Sequence, residues 1–314
     1  MPSSTYRTAM LVAPLALVSG LLSGCAGSHQ PAPARTASTA VVPAAAASAS
    51  PGSQDPSSSA LAETERRYHA RLGVYALDTG TGHTVTYRAD ERFAFASTYK
   101  ALAAGVLLKR DTDAQLDHVI TYSTSDLAQY SPITSQHVAT GMSVRDLIVA
   151  ALEYSDNTAA NLLLNELGGP AGLQAAMRDL GDATTNVDRT EPTVNEATPG
   201  DTRDTSTPRA LGTDLRAFVL GDALPADRAQ LLTGWLKANT TGGPYIRAGV
   251  PAGWQVGDKT GNGGYGTRND IAILWPSGRA PIVLAILSDR GTAGASSDDA
   301  LLADATKAAL AALG

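Results

Sequence analysis

Ser97 and Lys100 stand three residues apart in the stretch Phe93-Ala94-Phe95-Ala96-Ser97-Thr98-Tyr99-Lys100-Ala101-Leu102. From Tyr99 the apolar residues fall at Tyr99, Leu102, Ala103, Val106 and Leu107, the i, i+3, i+4, i+7, i+8 stripe of an α-helix. Ala101 and Ala104 make the other side apolar too, so the spacing predicts a buried helix ending at Lys109 and Arg110. Ser97 stands at its start, where serine is a favoured residue type. Lys100 lies one turn on, along the same face. Its charge opposes the positive end of the helix dipole and is costly to bury. Both effects depress the ammonium pKa and favour a neutral amine, a base beside a hydroxyl. The pair fits a serine nucleophile with a lysine proton partner. Read alone, it fits equally well an N-capping serine and a lysine that reaches out to water.

Three further stretches bear on that choice. Glu153-Tyr154-Ser155-Asp156-Asn157 ends one helix and starts another. Arg189-Thr190-Glu191-Pro192-Thr193-Val194-Asn195 opens a long polar loop. Asp258-Lys259-Thr260-Gly261 precedes a strand pair. Singly they read as an N-cap, a loop dipeptide and a turn. Together and in this order they resemble the class A serine β-lactamases, whose motifs are S-x-x-K, S-D-N and K-T-G. Of the chain's five lysines only Lys100 lies three residues after a serine. The resemblance continues through Tyr130-Ser131-Pro132, Gly141-Met142, Asn157-Thr158-Ala159-Ala160-Asn161 and Pro251-Ala252-Gly253-Trp254, and covers about residues 61–314.

That resemblance implies roles. Ser97 would attack a strained cyclic amide with Lys100 as its close proton partner, and the acyl-enzyme would then be hydrolysed. Ser155 would pass a proton to the departing ring nitrogen, helped by Lys259. Glu191 would hold and deprotonate the deacylating water, with Asn195 helping to hold it. Either Lys100 or Glu191 takes the serine proton during acylation. The backbone N–H groups of Ser97 and Asn262 would form the oxyanion hole. Asn262 departs from the smaller residues usual there, which bears on substrate preference. Asn157 would bond the substrate's side-chain amide, and Tyr130 matches an aromatic at the site entrance. Thr260 and Gly261 belong to the substrate-binding K-T-G motif. Arg268, in Gly266-Thr267-Arg268, matches the arginine that pairs with the substrate carboxylate, and a planar guanidinium suits that task. Arg189 and Asp204 match the pair that pins the long loop and are structural. The family needs no metal or cofactor. Two rivals share parts of the pattern: a penicillin-binding D-alanyl peptidase, and a sensor that binds lactams and stays acylated. Both normally lack the Glu191 loop.

These residues must be positioned by elements legible along the chain. Leu61–Arg71 reads as a helix, Leu72–Asp78 as a strand, Thr79–Gly82 as a turn and His83–Tyr87 as a second strand. After the Ser97 helix the signals are mostly helical: Val144–Glu153, Thr158–Glu166, Ala171–Leu180, Thr213–Leu220 and Asp227–Lys237. Asp188–Pro208 lacks periodicity and reads as a long, functional loop. Strands return at Asp270–Trp275 and Pro281–Leu287, and Ser297–Leu313 is an alanine-rich closing helix. Strands at both ends with helices between them predict an α+β protein. The resemblance adds that its antiparallel sheet is flanked by the N- and C-terminal helices. It also divides the catalytic region into an α/β part, about 61–93 and 239–314, and an inserted helical part, about 94–238.

Ahead of that region, Arg7 and the apolar run Ala9–Leu22 form an export signal too short to span a bilayer. It ends in Leu22-Ser23-Gly24-Cys25, which resembles the lipobox of bacterial lipoproteins. On that reading residues 1–24 are removed and Cys25 carries lipid on the outer face of the cell membrane. On the other, the signal is an ordinary secretory one and the protein is released. Residues 25–60, rich in Ala, Pro and Ser with five prolines, read as a tether. It would span roughly 30 Å as a flexible coil.

The 314 residues, 43% hydrophobic and 17% charged, suffice for a proper core. A net charge of -6 without a basic run argues against nucleic-acid binding. His29, His69, His83, His118 and His137 have no ligand-like spacing, and there is one cysteine, so a zinc site is not expected. The expected partners are small-molecule β-lactams and, through Cys25 alone, a membrane; the expected state is a monomer. Gly261-Asn262-Gly263-Gly264-Tyr265-Gly266 fits G-x-G-x-x-G but leads into a strand, which rejects a dinucleotide site.

Overall fold

The apolar runs at the two ends of the catalytic region come together in a five-stranded antiparallel sheet. The computed structural model describes residues 56–314. The signal segment 1–24, Cys25 and most of the tether lie outside the described residues. The chain order begins with α1 (Pro56–Tyr68), β1 (Arg71–Asp78), β2 (Thr84–Tyr87) and β3 (Phe93–Ala94). It continues with α2 (Tyr99–Arg110), α3 (Asp113–Leu116), β4 (Val119–Ile120), β5 (Met142–Ser143), α4 (Val144–Glu153), α5 (Asn157–Glu166) and α6 (Gly169–Leu180). It closes with β6 (Thr205–Ser206), α7 (Pro208–Val219), α8 (Ala226–Lys237), α9 (Ile246–Gly249), β7 (Gln255–Asn262), β8 (Arg268–Trp275), β9 (Ile282–Asp289) and α10 (Asp299–Leu313).

The sheet runs β2-β1-β9-β8-β7, so the first strand pairs with the last. Successive strand residues face opposite sides. Ala272, Leu274, Leu284 and Ile286 pack with Leu61, Leu301 and Leu302 beneath α1 and α10. Ile271, Ile273, Val283 and Ala285 share a second core with Leu102, Leu147, Leu211 and Phe218 of the helices. Burial on both faces is why Ile271–Trp275 of β8 and Ile282–Leu287 of β9 run apolar instead of alternating. The result is the expected α+β architecture.

Several boundaries differ from the sequence reading. Helix α1 starts at Pro56, inside the stretch assigned to the tether, and ends at Tyr68. Helix α7 starts at Pro208, ahead of the expected Thr213, with Thr207 Oγ1 accepting from Ala210 N. Proline suits a first helical position, where the missing N–H would be unbonded anyway. The long loop is not structureless: it contains the 3₁₀ turn Thr193–Asn195 and then β6, which pairs with β3. Lys259-Thr260-Gly261 forms no turn before the strand pair; it lies inside β7, the sheet edge. A methyl group on Gly261 would lie 2.8 Å from Phe95 O, so glycine lets this edge close on the turn bearing Ser97.

Candidate active site

Ala96–Thr98 forms one turn of 3₁₀ helix, and α2 begins only at Tyr99. Ser97 therefore does not cap the helix. Thr98 holds the cap position without a side-chain capping bond, its hydroxyl donating to Phe95 O at 2.8 Å. The Ser97 hydroxyl is left for chemistry. It borders a cleft of 480 Å³ shared with Tyr130, Ser155, Asn195, Thr260 and Arg268. Among the described residues its hydrogen bond goes to Glu191 Oε1, 3.4 Å away, and none joins it to Lys100.

Lys100 is 1% exposed. Its Nζ donates to Asn157 Oδ1 at 2.6 Å and Ser155 O at 2.9 Å, and pairs with Glu191 Oε1 at 3.0 Å. Burial lowers the ammonium pKa, against the opposing pull of Glu191. The depression expected from sequence thus has burial as its leading cause. Lys259 is also buried and donates to Ser155 Oγ at 3.0 Å and Thr260 O at 3.0 Å. Burial first, and the Lys100 charge second, push its pKa down to about 7. The Ser155 hydroxyl therefore sits between two amines, with Lys100 Nζ at 3.5 Å on the other side. Ser155 has φ 58, a left-handed conformation. The turn is fixed from below by the buried Asp156, which accepts from Ala159 N, Ile133 N, Thr134 N and Thr134 Oγ1.

Glu191 reaches this cluster from the long loop. The amide of Asn161 grips its backbone, Oδ1 accepting from Glu191 N at 2.8 Å and Nδ2 donating to Glu191 O at 2.9 Å. The loop's ends are tied by Asp204, which accepts from Asp188 N, Arg189 N and Arg189 Nε. The Glu191 carboxylate is buried and heavily engaged. Oε1 takes Ser97, Lys100 and the phenol of Tyr99 at 3.3 Å, while Oε2 accepts from Asn195 Nδ2.

The far wall carries Arg268, the first residue of β8. Its Nη1 donates to the Tyr245 hydroxyl at 2.7 Å, and its Nε lies 2.9 Å from Asp299 Oδ1. A substrate carboxylate would share this guanidinium with Asp299. The Thr260 hydroxyl bonds that of Thr241 at 2.6 Å. Asn157 gives Oδ1 to Lys100 and one N–H to Gln129 O, leaving one N–H for a ligand. Tyr130 is exposed at the rim, and Asn262 ends β7 at the surface of the cleft.

Residues 56–313 match the model of a beta-lactamase enzyme family. A β-lactamase of Amycolatopsis lactamdurans is 61% identical over 250 residues, 80% of this chain and 83% of the relative. The chain belongs to the class A β-lactamase family. A β-lactamase of Bacillus licheniformis is 55% identical over 253 residues, 81% of this chain and 82% of the relative. Among solved structures, a halotolerant bacterial β-lactamase has TM-score 0.80 at 53% identity, covering 83% of this chain and 99% of that one. A class A β-lactamase from Clostridium kluyveri has TM-score 0.80 at 49% identity, covering 81% and 97%.

In this β-lactamase the fold brings Ser97, Lys100, Ser155, Glu191 and Lys259 to one cleft from five segments: the 3₁₀ turn, α2, the α4–α5 turn, the long loop and β7. Sequence reasoning passed over several neighbours. Tyr99 read only as part of an apolar stripe. Asn161 falls in the Asn157–Asn161 stretch with no task evident from sequence, though it stands four residues after Asn157 on the same helix face. Gln129, Thr241, Tyr245 and Asp299 had no local signal, because their partners are distant in the chain. Among the described residues no cluster of three or more His, Cys, Asp or Glu could hold a metal ion.

Proposed function

We propose that this β-lactamase opens the ring of penicillin- and cephalosporin-type antibiotics through an acyl-enzyme on Ser97 and thereby confers resistance. Ser97 Oγ attacks the lactam carbonyl carbon and gives its proton to Glu191, the carboxylate in contact with it. The tetrahedral oxyanion is held by the backbone N–H groups of Ser97 and Asn262. The C–N bond then breaks, and the ring nitrogen takes a proton from Ser155; Lys100 resupplies Ser155 and takes the proton held by Glu191, which restores the carboxylate. Glu191 then removes a proton from the water that attacks the ester and passes it to Ser97 Oγ as the ester C–O bond breaks. Arg268, with Thr260, binds the substrate carboxylate, and Asn157 and Asn195 orient the side-chain amide and the water. The observation that carries this reading is the Glu191 carboxylate, 3.4 Å from Ser97 Oγ and 3.0 Å from Lys100 Nζ. A lactam-binding sensor or D-alanyl peptidase normally lacks the loop that places this carboxylate.

The test is mass spectrometry of Glu191→Ala mixed with a penicillin. A slowly formed but persistent adduct on Ser97 is expected, with turnover at least ~10²-fold below wild type. Ser97→Ala should carry no adduct. Wild-type turnover by Glu191→Ala refutes the base assignment. A long-lived adduct on wild type with every lactam replaces hydrolysis by a trap. We further propose that residues 1–24 direct export and that Cys25 is lipidated, holding a monomeric catalytic region on a tether outside the cell membrane. Support comes from the apolar run and lipobox pattern of the sequence.

A further inference from the structure

Tyr99 is 0% exposed, in the first turn of a buried helix. Its ring packs against Phe95 with centroids 5.7 Å apart. A phenylalanine would fill this space without burying a hydroxyl, and a buried hydroxyl costs free energy unless it is bonded. Among the described residues, the Tyr99 hydroxyl has one hydrogen-bond partner, Glu191 Oε1 at 3.3 Å. The phenol is thus aimed from the scaffold at the oxygen that also faces Ser97 and Lys100. We propose that Tyr99 is a positioning residue for deacylation, holding the aim of the Glu191 carboxylate from behind.

The physical chemistry is direct. A hydrogen-bond donor fixes the direction of the carboxylate oxygen it holds. The Lys100 donor carries a proton that can move, so its hold changes through the cycle. The Tyr99 proton does not move: burial, then the Glu191 charge, push the phenol well above its ordinary value of 10. Tyr99 therefore holds Oε1 in the same way throughout. The other charges reaching Glu191 are Lys100 of α2 and, at longer range, Lys259 of β7. Asp156 acts on Lys100, and Asp204 on Tyr99. None of these changes when the phenol oxygen alone is removed. The carboxylate also loses one of the contacts that hold Oε1 toward the ester; Asn195 on Oε2 and the Asn161 grip on the backbone remain.

This inference rests on Glu191 being the deacylation base, and the experiment separates the two. The kcat of wild type and Tyr99→Phe is measured with a penicillin whose acyl-enzyme accumulates in the steady state, so that kcat reports deacylation. Thermal melts confirm that Tyr99→Phe is folded. The kcat of Tyr99→Phe should fall by about 3- to 10-fold. In a Glu191→Gln background, Tyr99→Phe should leave the residual deacylation rate unchanged. Equal kcat in wild type and Tyr99→Phe, or the same fall in the Glu191→Gln background, would overturn the role of Tyr99 while Glu191→Gln still stalls release. Undiminished turnover by Glu191→Gln would remove the base assignment itself.

Discussion

Asp214 lies in α7, 4% exposed, with its carboxyl facing that of Asp182 and its Oδ2 without a hydrogen-bond partner in the described residues. Asp182 is itself tied to Thr184 N and Thr185 N, just before the loop that carries Glu191. Burial first, then the Asp182 charge, push the Asp214 carboxyl up to about 9 from an ordinary 3.8. Between those two values the folded protein binds one proton more than the unfolded chain, so this group makes stability fall as pH rises. The slope is about 1.4 kcal/mol per pH unit, or about 4 kcal/mol from about pH 5 to about pH 8. Asp214→Asn keeps the shape, lets an amide N–H donate to Asp182 and removes the titration. Melting curves of both proteins should therefore converge at low pH and separate as pH rises, Asn becoming the more stable form. For a domain of this size the gap should grow by roughly 8–16 °C over that window. Because the comparison is between the two proteins, titrating groups that do not touch Asp214 cancel. A gap that grows by less than about 3 °C, or widens toward low pH, would show that Asp214 is ionised in the folded protein and that the argument from burial fails.

Arg268→Ala removes the guanidinium that Tyr245 and Asp299 hold at the cleft wall. Losing one charge-assisted pair with a substrate carboxylate should lower kcat/KM by about 10- to 150-fold; equal activity in wild type and variant would assign that contact elsewhere. Cys25→Ala should move the protein from the membrane fraction to soluble or secreted fractions, and an unchanged membrane fraction would exclude the anchor.

The chain's short-range pattern was enough to name the chemistry. Ser97 and Lys100 are one helical turn apart, and the Ser155-Asp156-Asn157 and Lys259-Thr260-Gly261 motifs are each contiguous, so their identities and order are visible without any fold. Helix α4 has the predicted limits because its apolar period and its Ser143 cap are both local. The strands β8 and β9 were legible as continuous apolar runs. Other features depended on groups that meet only in three dimensions. Lys259-Thr260-Gly261 looks like a turn because glycine and threonine suit one, and it is a strand because β8 supplies a hydrogen-bonded neighbour from Thr260 to Asp270. Tyr99 looks like core and is core, but its hydroxyl meets a carboxylate 92 residues away. Arg268 read as a ligand for substrate alone until α10 brought Asp299 against it. Local spacing selects residue types and helix faces; which polar groups are buried together, and so what their protons cost to move, is set by the packing of distant segments.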